Sequence, residues 1–383
     1  MRRTRYLQSL LAAAALAAPL LAAADPRYAV TALAGAGSMA RDINNLGQVV
    51  GMTYSGDVYR AFVHGDGGLT DIGTLGGAGS WANAINDLGQ IVGNAQTADG
   101  GSYGFLYSGG TMSALTGGRY MQANGINNGG TIVGAMYVTT PEDSYYHAFT
   151  WTNGSVTDLG TLSYGDGSRA YAINNQGDVV GAAANVFHGE PNRPEDPFIY
   201  RDGVMTGLGN LGGPWSAALS VNDLGQVVGY LGVDSIPGNP GELYPTSAFL
   251  YVDGKMEVIG DLAPNRVSLA KDINNLGQVV GSVGLNGDYH AFLFEDGAMT
   301  DLNTLIDPAS GWTITDAAAI NDLQQIAAQA CRGGVCQAVR LDLVSAVPEP
   351  PVFALLAAGL ALGLARGEWR IRGFRRPVRR RRG

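Results

Sequence analysis

Two lysines, two cysteines and four histidines are all that the 383 residues hold of these side chains, and each scarcity excludes some chemistry. His64, His147, His188 and His290 lie in different stretches of the chain, so the sequence offers no ligand set for a metal centre and none is expected. Cys331 and Cys336 bound CRGGVC, too few for a disulfide scaffold. Facing across a Gly-Gly turn, they suggest a single disulfide, the pairing an oxidising compartment permits. Long apolar runs are also missing, except at the two ends.

Those ends do not look like domains. Residues 1–24 open with three arginines, pass through an apolar run from Leu7 to Leu21 and close on Ala22-Ala23-Ala24, the pattern of a secretory signal cleaved before Asp25. Residues 347–383 place Pro348-Glu349-Pro350 before an apolar segment, Pro351 to Ala365, and then nine arginines. At 1.5 Å per residue that segment reaches only about 22 Å, a short transmembrane helix whose arginines stay on the cytoplasmic side.

This tail resembles the PEP-CTERM sorting signal of bacteria with exosortase systems. The resemblance implies a membrane-embedded exosortase as partner, with Pro348, Glu349 and Pro350 as its recognition residues. It also implies attachment to the membrane through the tail before processing, and a place in the cell envelope or in the exopolysaccharide and biofilm matrix.

Without the two ends, residues 25–346 keep 12 basic and 31 acidic side chains, a net charge near −19. Such a surface repels phosphate backbones, which argues against nucleic acid as a partner, and suits cations or neutral glycans.

What the middle of the chain does have is repetition. DINNLGQVVG occurs at 42–51 and again at 272–281. Aligned on an Ile/Val-Asn pair and counted from its first residue, seven anchors appear at Ile43-Asn44, Ile85-Asn86, Ile126-Asn127, Ile173-Asn174, Val221-Asn222, Ile273-Asn274 and Ile320-Asn321, spaced by 42, 41, 47, 48, 52 and 47 residues. Each unit carries four strand signals in one order: a short run ending at the anchor, a turn such as DLGQ, a Val-Val-Gly strand, an Ala-Phe strand, and a fourth strand after a Gly-containing turn. Units of 40 to 50 residues with four strands predict an all-β fold, a seven-bladed β-propeller over 25–346. The phrases resemble the HAF repeat of bacterial extracellular proteins, named for the His-Ala-Phe present at His147 to Phe149 and His290 to Phe292.

Serine or another small residue five places before most anchors, and alanine three before every one, predict a crowded first strand beside the central channel. The anchor asparagines, followed three residues later by glycine in most units, read as turn formers. The last unit lacks a clear fourth strand, whereas residues 27–38 read as a fourth strand before any first one. An N-terminal strand completing blade 7 would close the ring and leave no open sheet edge.

Three long loops between second and third strands share a face with the segments leading into the first strands. On that face the sequence offers Tyr145, Tyr146, His188, Tyr244, Trp81, Trp215 and Trp312 beside Glu142, Asp143 and Glu195. Aromatic rings next to carboxylates suit glycan binding, and the carboxylates suit Ca2+ bridging. The expectation is a binding or scaffold protein that is not an enzyme. The alternative is a polysaccharide-cleaving enzyme in which Asp42 and Asp272, in the same register one blade apart across the seam, act as an acid/base pair.

Overall fold

The computed structural model describes residues 27–344 apart from 118–119, 140–143, 163–164, 185–194, 212, 214, 233–245, 261, 263–266 and 286–287. Pro348, Glu349, Pro350 and both terminal signals lie outside the described residues. The chain divides into Met1–Leu343 and Val344–Gly383. Among the described residues no helix is long and apolar enough to cross a membrane.

β-Branched and aromatic residues fill the repeat phrases, and glycines capable of positive φ separate them, so each phrase becomes one strand of an antiparallel sheet. Blade 1 is Met39–Ile43, Val49–Ser55, Val58–Gly65 and Gly68–Asp71, paired in that order. Six further four-stranded sheets follow, which makes the protein a seven-bladed β-propeller. Its first strands are Met39–Ile43, Gly76–Ile85, Gln122–Ile126, Ser168–Ile173, Ala217–Val221, Val267–Ile273 and Thr313–Ile320. All end on the anchor's Ile or Val and line the central channel.

Each first strand bulges at the same place. Pairing slips between the alanine three before the anchor's Ile or Val and the residue just before that Ile or Val, from Ala40/Asp42 in blade 1 to Ala317/Ala319 in blade 7. The residue passed over, such as Arg41, Asn83 or Asn124, faces the channel. Bulging pushes the first-strand backbone against the second strand, which explains the glycine of Val-Val-Gly. A Cβ on Gly281 would stand 1.9 Å from the Leu269 carbonyl oxygen and 2.9 Å from the Phe292 ring. Blade 7 has Ala328 there, and its first strand slips a second time, between Ile314 and Asp316. Gly281→Ala is therefore expected to cost about 3 kcal/mol by denaturant unfolding, and Ala328→Gly roughly 1 kcal/mol.

The serine five before the anchor is more than small. Ser80 Oγ donates to the Gly73 carbonyl (2.6 Å) and accepts from Ala61 N (3.0 Å), while Ser168 makes the same pair with Gly160 (2.5 Å) and Ala148 (2.8 Å). It thus binds the third strand of the preceding blade, at the alanine of Ala-Phe. The histidine of His-Ala-Phe holds the fourth strand instead: His147 Nδ1 lies 2.9 Å from Asp158 and His290 Nδ1 2.5 Å from Asp301. Phe62, Phe105, Phe149, Phe198, Phe249 and Phe292 are at most 1% exposed. The core is seven clusters, one between each pair of neighbouring blades.

Closure follows the expected route. Tyr28–Ala32 is the fourth strand of blade 7, antiparallel to Val335–Leu343, with Tyr28 opposite Leu343 and Ala32 opposite Val339. Arg27 pairs with Glu295 of blade 6 and donates to Gln324 Oε1 (3.1 Å). Gln324 sits at φ +61°, a left-handed position that glycine fills in the other six turns. Cys331 and Cys336 are joined by a disulfide across the last hairpin, their Cα atoms 3.9 Å apart.

Candidate functional site

The channel has two ends, and the sequence treats them differently. At the end carrying the turns after the first strands, the anchor asparagines do more than form turns. Asn44 Oδ1 accepts from the amides of Leu46 (3.1 Å) and Gln48 (2.9 Å), while Nδ2 donates to Gln48 Oε1 (2.8 Å) and to the Asn86 carbonyl of the next blade (3.0 Å). Every anchor repeats the last bond, through Asn127, Asn174, Asn222 and Asn274 to Asn321, which donates back to the Asn44 carbonyl at 2.9 Å. The result is a closed belt of seven buried amides.

A second belt lies beside it. The residue after each anchor, for example Asn45, donates its backbone N–H to the side-chain oxygen of its counterpart in the next blade, and Asp322 N closes the circuit on Asn45 Oδ1 at 2.9 Å. Asp87, Asp223 and Asp322 are never neighbours in this ring, and each carboxylate takes hydrogen bonds from flanking asparagines.

Within the belts a cavity of about 280 Å³ contains Asp42 and Asp272. Asp42 accepts from Ile43 N and from Ile85 N of blade 2, both at 2.8 Å. Asp272 accepts from Ser220 Oγ of blade 5 (2.6 Å) and Ile320 N of blade 7 (2.8 Å). These carboxylates therefore tie first strands together. Burial, then the charge of Asp272, pushes the Asp42 carboxyl up to about 7, and burial raises Asp272.

A group whose folded pKa is raised binds its proton more tightly in the native state, so its contribution is lost as pH climbs from about 4 through 7. Asp178 and Glu295, lowered by Arg201 and Arg27, act oppositely, their contribution disappearing as pH falls below about 4. The wild type is expected to resist urea better at pH 5 than at pH 8, and Asp272→Asn to narrow that difference. Asn can serve both Ile320 N and the rotatable Ser220 hydroxyl. Asp42→Asn, which sets an NH2 against a backbone N–H, is expected to cost about 1–3 kcal/mol.

The other end opens into a cleft of about 320 Å³ at blades 2 and 3, continuous with the channel through Arg41, Asn83 and Asn124. Trp81 and Tyr146 line it, together with Tyr120, Ser102 and Gln122. Tyr120, 57% exposed and at φ +64°, stacks edge-on to Tyr137, and Tyr137 to Tyr146, with centroids 5.8 and 5.4 Å apart. Arg169 covers the Tyr146 ring at 5.1 Å and pairs with Glu195 (3.0 Å). Asn83 and Asn124 are held by donating to the Ala123 and Ala170 carbonyls, each at 2.8 Å. Asn94 is 5% exposed; its Oδ1 accepts weakly from Ala123 N (3.4 Å), and its Nδ2 has no partner among the described residues.

Of the expected face, Trp81 and Tyr146 come together, and Glu195 joins them through Arg169. Tyr145 precedes Tyr146 in the same strand, where alternation sends it to the other side. Trp215 stands apart before the first strand of blade 5 at φ +64°, and Trp312 packs under Arg332, 4.4 Å from its guanidinium carbon. Glu142, Asp143, His188 and Tyr244 lie outside the described residues. Sequence reasoning missed Arg41, Asn94 and Tyr120; the first is legible only once the bulge is known. Among the described residues no group of three or more His, Cys, Asp or Glu is placed to hold a metal ion.

No protein-family model matches the chain, and no curated protein matches it. Solved structures match in fold. The β-propeller domain of the trilobed protease from Pyrococcus furiosus, described as an open velcro topology, is 10% identical over 82% of this chain and 99% of that one, with a TM-score of 0.52. Acylaminoacyl peptidase of Pyrococcus horikoshii is 12% identical over 80% of this chain and 51% of its own, TM-score 0.52. A puromycin-hydrolyzing peptidase of Mycobacterium tuberculosis is 12% identical over 84% and 55%, TM-score 0.51. The chain thus spans about half the length of these two peptidases. Likeness at this identity carries the fold alone. It nevertheless corrects the expectation that the protein is not an enzyme, because propellers of this build occur within peptidases and the exclusion drawn from sequence does not hold.

Proposed function

We propose that the protein is exported to the cell envelope or exopolysaccharide matrix, sorted by its PEP-CTERM-like tail through an exosortase, and binds glycan in the cleft at blades 2 and 3. The observation that supports binding is the company Trp81 and Tyr146 keep. Aromatic rings stack on sugar C–H faces, and here they border a recess lined by Asn94, whose NH2 makes no hydrogen bond among the described residues and would gain one from a sugar hydroxyl. Glycan-array and calorimetric binding of matrix polysaccharide test the reading, with Trp81→Ala expected to lower affinity at least tenfold; unchanged affinity would remove the cleft from it. Cell fractionation with and without residues 347–383 tests sorting.

Polymer cleavage by Asp42 and Asp272 has less support, since inner-strand donors engage both oxygens of each. Release of reducing ends, abolished by Asp272→Asn, would reverse that order.

A further inference from the structure

Resting on the glycan reading, we infer that the cleft takes an acidic sugar, one carrying a carboxylate of the uronate class, and that Arg41 receives the carboxylate. Six of the described basic side chains are held in ion pairs, and Arg332 is stacked on Trp312. Two others, Lys255 in the fourth strand of blade 5 and Arg41, are exposed and have no acidic partner among the described residues, and of these only Arg41 borders the cleft. It sits where the first strand of blade 1 bulges, and it borders both the channel and the cleft.

The net charge near −19 favours neutral ligands at long range, but at physiological salt that repulsion is screened beyond about 8 Å. At contact, the local group decides. A guanidinium fork matches the two oxygens of a carboxylate, and a pyranose uronate presents that group at one edge of a ring whose face can stack. The remaining polar atoms fit the same ligand. Asn94 Nδ2 makes no hydrogen bond among the described residues and lines the cleft, and Asn83 and Asn124, each fixed through its NH2, keep their Oδ1 atoms for hydroxyl donors. A cavity of about 320 Å³ is at the small end of ligand pockets, suited to one or two sugar rings of a longer polymer.

The test compares a soluble polyuronate with the same polymer after reduction of its carboxylates to alcohols, by calorimetry at 0.15 M salt with the mature protein. The polyuronate is expected to bind at least tenfold more tightly, and Arg41→Met, which keeps the apolar stem, is expected to bring the two polymers to one affinity. Equal binding of both polymers by the wild type, or a preference that survives Arg41→Met, overturns the acidic-sugar inference and leaves glycan binding standing. Binding of neither polymer, with the fold intact by circular dichroism, counts against the glycan reading itself. Trp81→Ala separates the roles, since it should weaken both polymers while the ratio between them persists.

Discussion

A protein lacking residues 25–33 is expected to lose well over 3 kcal/mol of stability and to self-associate. The deletion removes Tyr28, 1% exposed and among the largest fully buried side chains, together with five ladder pairs against Val335–Leu343 and the Arg27–Glu295 ion pair. It also bares the edge of the third strand of blade 7, and an unpaired edge templates pairing with another chain. Urea midpoints and light scattering on purified protein measure both effects, and a synthetic peptide of residues 27–34 should restore the midpoint when added in excess. An unchanged midpoint in a monomeric deletion protein would mean that the ring is not sealed by this strand.

The second large effect is expected at the asparagine belt. Asn274 is 4% exposed; it serves Leu276 N and Gln278 N through Oδ1, and Gln278 Oε1 and the Asn321 carbonyl through Nδ2. Asn274→Ala strands several of these buried groups at once, at a cost of about 1–3 kcal/mol each, so a total of at least about 3 kcal/mol is expected. Asn274→Asp keeps the two accepted bonds but turns a carboxylate toward the Asn321 carbonyl. Its cost should shrink at low pH, where the protonated acid can donate. Asn128→Ala, in the exposed second belt, should cost under about 1 kcal/mol. Comparable losses for Asn274→Ala and Asn128→Ala would show that the inner belt is not what holds the blades.

Much of this architecture was legible because a repeat exposes geometry twice over. The period, strand order, innermost strand and seam could all be read from spacing and from the misplaced fourth-strand phrase at 27–38. What could not be read were contacts between units. The anchor asparagine looks like a local turn former, since its two bonds to residues two and four places ahead are local; its bond to the next blade spans 41 to 52 residues within the chain and 277 across the seam. The serine five before the anchor hid in the same way, as mere smallness. The cleft was half visible. Trp81 and Tyr146 stand out in any sequence, but Arg41 and Asn94 occupy positions that vary from unit to unit, and only the bulge and the packing of blades 2 and 3 bring them to one recess.

The direction of the inner belt has a consequence for how such chains grow. All seven amides donate the same way round, so each unit arrives with one donor and one acceptor and leaves the count of both balanced. Duplicating a blade would therefore break no bond that the copy does not replace, and the belt would tolerate six or eight members as well as seven. Blade number is left to the bulk of the side chains between sheets. Repetition of DINNLGQVVG at 42–51 and 272–281 is what a lineage lengthened by whole interchangeable modules would carry.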